Sequence, residues 1–117
     1  MARNYAEHFN YIRGMMGKMG KEIPGTMGGI GQLHKGALEK GALEAKMKEL
    51  IAVGIAIAVR CEGCMTFHIM GAVQAGATRE EVVEAIGVGI MMAGGPGVVA
   101  AAEAFEILEQ TLAAKPA

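Results

Sequence analysis

The chain has 117 residues with 11 basic and 12 acidic side chains, a formal net charge of −1, which fits one domain. With no basic block and no aromatic ladder, it does not read as a nucleic-acid binder. Hydrophobic residues make up 52% of the chain but aromatics only 4%, so the core must be built from Ala, Val, Ile, Leu and Met, and a small chain this apolar is expected to hide part of its surface against copies of itself.

The first stretch, MARNYAEHFNYIRG, is charged and has no apolar segment of the kind a secretory signal needs. Tyr5, Phe9, Ile12, Met16 and Met19 recur at spacings of four and three, which predicts an amphipathic helix over 3–20. Pro24 is placed to start a short second helix through Met27, Ile30 and Leu33, with His34 near its end as a surface or capping residue. His8 reads as a surface residue, and Gly36 and Gly41 as a loop.

A third helix is expected from Leu43 to Val59 or Arg60. Beyond Leu50 it is apolar all round, which predicts a central, buried position. The strong helix formers ALEAKMKEL run into IAVGIAIAV without a break, and this excludes a strand there. Gly63 then reads as the turn, with a fourth helix from Cys64 to Ala75 ended by Gly76. Thr78 and Glu81 form a capping box for a fifth helix with Val82, Val83, Ile86 and Ile90. Gly94 and Gly95 break it, and Pro96 starts a sixth helix whose apolar face is Val98, Val99, Ala102, Phe105 and Leu108, to about Leu112. The tail AAKPA reads as frayed.

No segment alternates with period two, so the fold class is all-α: a single domain of five to six helices around a central antiparallel helical hairpin. Ala85 to Ala102 is free of charge for 18 residues, close to the length of a membrane span. Gly94-Gly95-Pro96-Gly97 interrupts it, and two short buried helices explain it better than a crossing.

Chemistry concentrates between Glu49 and His68. Cys61 and Cys64 form a Cys-x-x-Cys pair, His68 follows four residues later, and Glu49 precedes Cys61 by twelve. Two cysteines this close cannot frame a small secreted fold. Without a signal they point to redox or metal work in a reducing, cytoplasmic setting. A helix starting near Cys64 would favour thiolate on that sulfur, because its orphan N–H groups and dipole stabilise negative charge. Cys64 and His68 share a helical face, so the imidazole can act as base or as charge partner of a thiolate. Cys61, nearer the turn, is placed either to resolve an oxidised Cys64 or to meet substrate itself, and the spacing does not separate these roles. Glu49 lies ~18 Å back along the third helix from Cys61 at 1.5 Å per residue. Only an antiparallel fourth helix brings it beside His68, where it would orient the ring and raise its basicity.

Other readings compete. The cysteines could be two small buried hydrophobes, but Arg60, Glu62 and Thr66 around them argue for a partly exposed turn. Glu49, Cys61, Cys64 and His68 could together bind zinc and staple a non-catalytic helical module, although a second Cys/His pair, usual in structural zinc sites, is missing. The ten methionines read as gap-fillers of an aromatic-poor core. A thioredoxin-like reading lacks its βαβ context.

The spacing Glu49-x11-Cys61-x2-Cys64-x3-His68, flanked by KMKELIAVGIAIAV, by Gly76-Ala77-Thr78 with Glu80-Glu81, and by GGPGVVAAAEAFEIL, resembles the alkyl hydroperoxidase D-like branch of the carboxymuconolactone decarboxylase family. The likeness covers roughly residues 23–110, and divides the chain into an N-terminal helix (1–22) and the family's helical domain (23–112). It implies a trimer or hexamer, and a thiol peroxidase or disulfide reductase with an antioxidant role. That enzyme holds no bound cofactor and uses an external lipoyl-type dithiol. Its partners would be a peroxiredoxin and a lipoyl-bearing protein. By the same resemblance Cys61 and Cys64 are the redox pair and Glu49 and His68 the proton relay. One departure stands out: Gly63 occupies the place of a second histidine between the cysteines. The family name also covers cofactor-free lactone decarboxylases, which do not need the cysteine pair. That is the second functional reading.

Overall fold

The computed structural model describes residues 3–114, and those residues form six helices and no strand. They are α1 (Tyr5–Glu22), α2 (Pro24–Leu38), α3 (Ala45–Ala58), α4 (Glu62–Gln74), α5 (Arg79–Ala93) and α6 (Gly95–Ala114). The frayed tail expected at 113–117 begins as the last turn of α6; residues 115–117 and 1–2 lie outside the described residues.

Helices α3 to α6 pack as a four-helix bundle: α3 lies against α4 and α5, and α6 closes the ring against both. Val53 and Ile57 of α3, Met65 and Ile69 of α4, Val82 of α5 and Ile107 and Leu108 of α6 are essentially sealed from solvent. Small residues set the closeness of the crossings. Gly89 of α5 sits where a Cβ would lie 2.9 Å from the Gly54 carbonyl oxygen and 3.0 Å from Ile57 Cβ, so α5 rides directly on the α3 backbone. Along α6 the buried stripe is Gly97, Ala100, Ala101, Ala104, Ile107 and Leu108. The stripe expected from the larger residues is largely turned outward: Val98, Val99 and Phe105 are exposed. Close packing selected the alanine face, because only small side chains let α6 approach its neighbours.

The same correction applies to α3. Its core face is Glu49, Val53, Ala56 and Ile57, while Met47, Ile51 and Ile55 stand exposed. The helix is central, packed against both α4 and α5, but it is not buried all round. One of its faces forms, with α5, an apolar groove of about 590 Å³ lined by Met47, Ile51, Ile55, Val88 and Met92.

Helices α1 and α2 form an outer hairpin. Tyr5 and Phe9 seat α1 on the bundle, whereas Met16 and Met19 from the expected apolar face are exposed. Gln110 of α6 holds the start of α1 from both sides: its Oε1 accepts the Tyr5 N–H at 3.0 Å and its Nε2 donates to the Arg3 carbonyl at 2.6 Å. Burial, then the charges of Glu103 and Glu62, raise the Tyr5 phenol above its ordinary range. Helix α2 buries none of its residues. It also runs through Gly36, which was expected in a loop, and ends only where Glu39 turns extended.

Two turns of the bundle repeat one motif. After α4, Ala77 N–H bonds to Ala72 O and Gly76 N–H to Val73 O, with Gly76 at φ +96°. After α3, Cys61 N–H bonds to Ala56 O and Arg60 N–H to Ile57 O. Both are Schellman closures, which need a left-handed residue. In the second, that residue is Arg60, at φ 57°, a conformation costing an L side chain about 1 kcal/mol. The turn is therefore made at Arg60, and the expected punctuation at Gly63 is absent, since Gly63 is inside α4. The break between α5 and α6 falls at Gly94, at φ +70°, and no helix among the described residues is long and apolar enough to cross a membrane.

The Thr78–Glu81 box forms as expected: the Glu81 N–H donates to Thr78 Oγ1 at 3.1 Å and the Thr78 N–H to Glu81 Oε1 at 2.9 Å. That backbone hydrogen bond, followed by Lys46, holds the Glu81 carboxyl below its ordinary range. Thr78→Ala should cost about 1 kcal/mol in urea unfolding at neutral pH. A carboxyl lowered in the folded state stabilises above its unfolded pKa and loses that contribution as pH falls through its folded one. The stability gap between wild type and Glu81→Gln should therefore close on acidification below the ordinary carboxylate range. A gap that widens on acidification would contradict this assignment.

Candidate functional site

Helix α4 begins at Glu62 because the Arg60 turn reverses the chain one residue before Cys61. Cys61 is thereby the N-cap, with extended backbone, and its sulfur accepts the Cys64 N–H at 3.2 Å. The helix terminus thus favours negative charge on Cys61. This corrects the expectation that Cys64 would be the sulfur so placed: the helix starts two residues earlier than its composition indicated, since Gly63 did not break it. The two sulfurs are bonded to each other as a disulfide, with Cα atoms 5.2 Å apart. Cys64 is exposed and Cys61 half-buried.

One turn deeper along α4, His68 points into the α3–α4 interface. Its Nδ1 lies 2.9 Å from Glu49 Oε1, and both residues are buried, at 9% and 8% relative exposure. The antiparallel packing needed to bring Glu49 back beside His68 is therefore present. Bonding to Glu49 fixes which edge of the ring faces the core, leaving Nε2 to serve the other side. Gly71, one turn after His68, makes room for this pair. A Cβ there would overlap Glu49 Oε2 and come within 2.8 Å of its Cδ. The sequence carried a faint signal of this, a glycine three residues after a histidine inside an apolar helix.

Glu62 ties the cysteine turn to α1. Arg3 Nη1 donates to its two carboxylate oxygens at 3.0 and 2.7 Å, and His8 Nε2 approaches Oε2 at 3.8 Å. His34, expected at the surface or as a cap, is exposed in the body of α2 but reaches the site. Its ring lies nearly parallel to that of His68, at 4° with centroids 6.1 Å apart. No spacing rule in the sequence links the two. The zinc set proposed from spacing does not converge: among the described residues no three His, Cys, Asp or Glu side chains are arranged to hold a metal ion.

The family model for carboxymuconolactone decarboxylases matches residues 24–106. The chain belongs to the carboxymuconolactone decarboxylase family. A family protein from Legionella pneumophila, whose crystal structure is described as apo, is 40% identical, with a TM-score of 0.87 over 92% of this chain and 96% of that one. A Thermotoga maritima family protein has the same fold at 23% identity, with a TM-score of 0.79 over 91% of each chain. Two curated relatives are uncharacterised proteins. One, from Cupriavidus necator, is 38% identical over 80% of this chain and 83% of its own length; the other, encoded in the cox locus of Paracoccus denitrificans, is 37% identical over 67% and 70%.

In this family member the Gly71 space can be tested directly. Alanine is normally favoured over glycine in a helix interior, by about 1 kcal/mol. Here the carboxylate occupies the position of the added methyl, and overpacking should win. Gly71→Ala should destabilise by roughly 1–3 kcal/mol in denaturant unfolding and break the Glu49–His68 hydrogen bond, seen as a changed His68 ring resonance. A more stable Gly71→Ala protein with an unaltered His68 signal would show that the space is incidental.

Proposed function

We propose that this protein is a thiol-dependent oxidoreductase of the alkyl hydroperoxidase D-like type, reducing a peroxide or a partner's disulfide. The observation that carries the reading is the Cys61–Cys64 disulfide at the open end of α4, one turn above a buried Glu49–His68 pair. A redox-active couple needs an accessible sulfur, a stabilised leaving thiolate and a group that moves protons, and each is supplied here by a different residue. For the Thermotoga maritima protein of the same fold an involvement in antioxidative response has been suggested.

In the reductive half, the thiolate of an external dithiol attacks the exposed Cys64 sulfur. The S–S bond breaks, and Cys61 leaves as a thiolate held by the α4 terminus. The second external thiol then attacks the mixed disulfide, so the donor departs oxidised and Cys64 is released. Two electrons and two protons have passed to the pair. In the oxidative half, His68 takes the Cys64 proton, and the thiolate attacks the peroxide O–O bond, forming a sulfenic acid on Cys64. His68 returns the proton to the departing alkoxide, giving the alcohol. Cys61 thiol then displaces water from the sulfenic acid and restores the disulfide. Glu49 keeps the His68 ring oriented through the 2.9 Å contact to Nδ1.

A lipoyl-type dithiol on a carrier protein suits the donor role, a peroxiredoxin is the matching disulfide partner, and a reducing compartment such as the cytoplasm would keep the cycle running. With a reduced lipoyl-type dithiol, wild type should consume alkyl hydroperoxide. Cys61→Ala and Cys64→Ala should lose turnover, and His68→Gln or Glu49→Gln should lower it by about 10²-fold while remaining folded. Wild-type rates in both single-cysteine variants would overturn the reading. Turnover of a muconolactone by the variant lacking both cysteines would replace it with the decarboxylase activity.

The reading includes assembly of the chain with copies of itself. The α3–α5 groove exposes Ile55 at 58%, Val88 at 54% and Met92 at 73%, a continuous apolar strip that a monomer seldom leaves open. Wild type should sediment as a trimer or hexamer, and Ile55→Lys should shift it toward monomer without loss of helical content. A monomeric wild type would overturn the assembly.

A further inference from the structure

Burying Glu49 and His68 raises a difficulty that the redox cycle must meet. The pair exchanges protons with thiols, substrate and solvent, yet His68 is only 9% exposed and Glu49 8%. The neighbouring α2 holds a second imidazole, which the cysteine chemistry leaves unused. His34 is exposed, and its ring stands nearly parallel to that of His68, with centroids 6.1 Å apart. Phe67 presents its edge geometry to both, at 90° and 5.9 Å from His34 and at 88° and 4.9 Å from His68. The three rings form one cluster that runs from the buried carboxylate to the surface. Core packing does not force this arrangement, because α2 buries no residue of its own.

We propose that His34 is the group through which the buried Glu49–His68 pair exchanges protons with solvent, an inference that rests on the thiol-redox reading above. An imidazole gains and loses a proton near neutral pH. The ring spacing is too long for a direct hydrogen bond but suits transfer through one water. In the reductive half the donor attacks as a thiolate, so one proton must enter from solvent before Cys64 is released as a thiol: His34 takes it from bulk solvent, passes a proton through the water to His68, and His68 delivers it to the Cys64 sulfur. No net charge accumulates at the buried pair. His34 thus acts through His68 and does not itself touch the sulfurs.

Two variants separate proton exchange from simple packing. His34→Phe keeps an aromatic ring and removes the titratable group; His34→Ala removes both. In the oxidised protein without substrate, nitrogen-15 NMR reads how fast the His68 ring proton exchanges with water. The expected result is an exchange slowed by on the order of tenfold in His34→Phe. In turnover, both variants should slow, and added free imidazole should restore His34→Ala. An unchanged His68 exchange rate in His34→Phe overturns the proposal, as does a slow His34→Ala that imidazole leaves slow. Because the exchange measurement needs no peroxide, it decides the role of His34 even if wild type proves inactive, an outcome that would count against the redox reading alone.

Discussion

Placing a carboxylate between two apolar helices costs free energy unless its charge and lone pairs are met. Glu49 satisfies that condition through one imidazole and one missing side chain. His68 supplies the partner at 2.9 Å, and Gly71 leaves the volume that the second oxygen fills. The register of α3 against α4 follows, since sliding either helix by one residue would bring Glu49 against a side chain and strip its partner. The pair also sets the depth of the chemistry, one helical turn below the sulfurs.

Small residues and turn geometry give that pair its frame. Gly89 on Gly54, and the alanine face of α6, draw the four bundle helices close enough to exclude water from the interface. The Schellman closure at Arg60 then delivers Cys61 as the cap of α4. A glycine would adopt that conformation freely, as Gly76 does after α4, whereas at Arg60 the same closure holds an L residue in the left-handed region immediately before Cys61.

Around the buried pair, α2 and the starts of α1 and α4 bring further polar and aromatic side chains together. The disulfide is held at the open end of α4, Glu62 between the two cysteines is clamped by Arg3, and α2 lays His34 over the rings of Phe67 and His68. Family membership supplies the fold; the chemistry rests on this arrangement of particular side chains. The open α3–α5 groove is the largest departure from the buried α3 expected from its sequence.

Local signals sufficed for much of this. The helical period, the Thr78–Glu81 box and the glycine pair at 94–95 marked helices that the structure contains, and the spacing from Glu49 to His68 marked a carboxylate and an imidazole that it pairs at 2.9 Å. What stayed hidden depended on competition between neighbours. Which side of α6 turns inward is decided by how closely helices can approach, and alanines beat valines there although hydropathy ranks them lower. The start of α4 was misplaced because a left-handed arginine carries no mark in sequence, whereas Gly63 looked like a break. His34 and Gly71 have roles only relative to groups on other helices, 34 and 22 positions away in sequence from their partners His68 and Glu49. One chain therefore determines by itself its helices, its caps and the residues with chemistry to offer. Tertiary packing alone decides which carboxylate is buried and which imidazole reaches the surface, because those properties belong to distances between elements and not to any one of them.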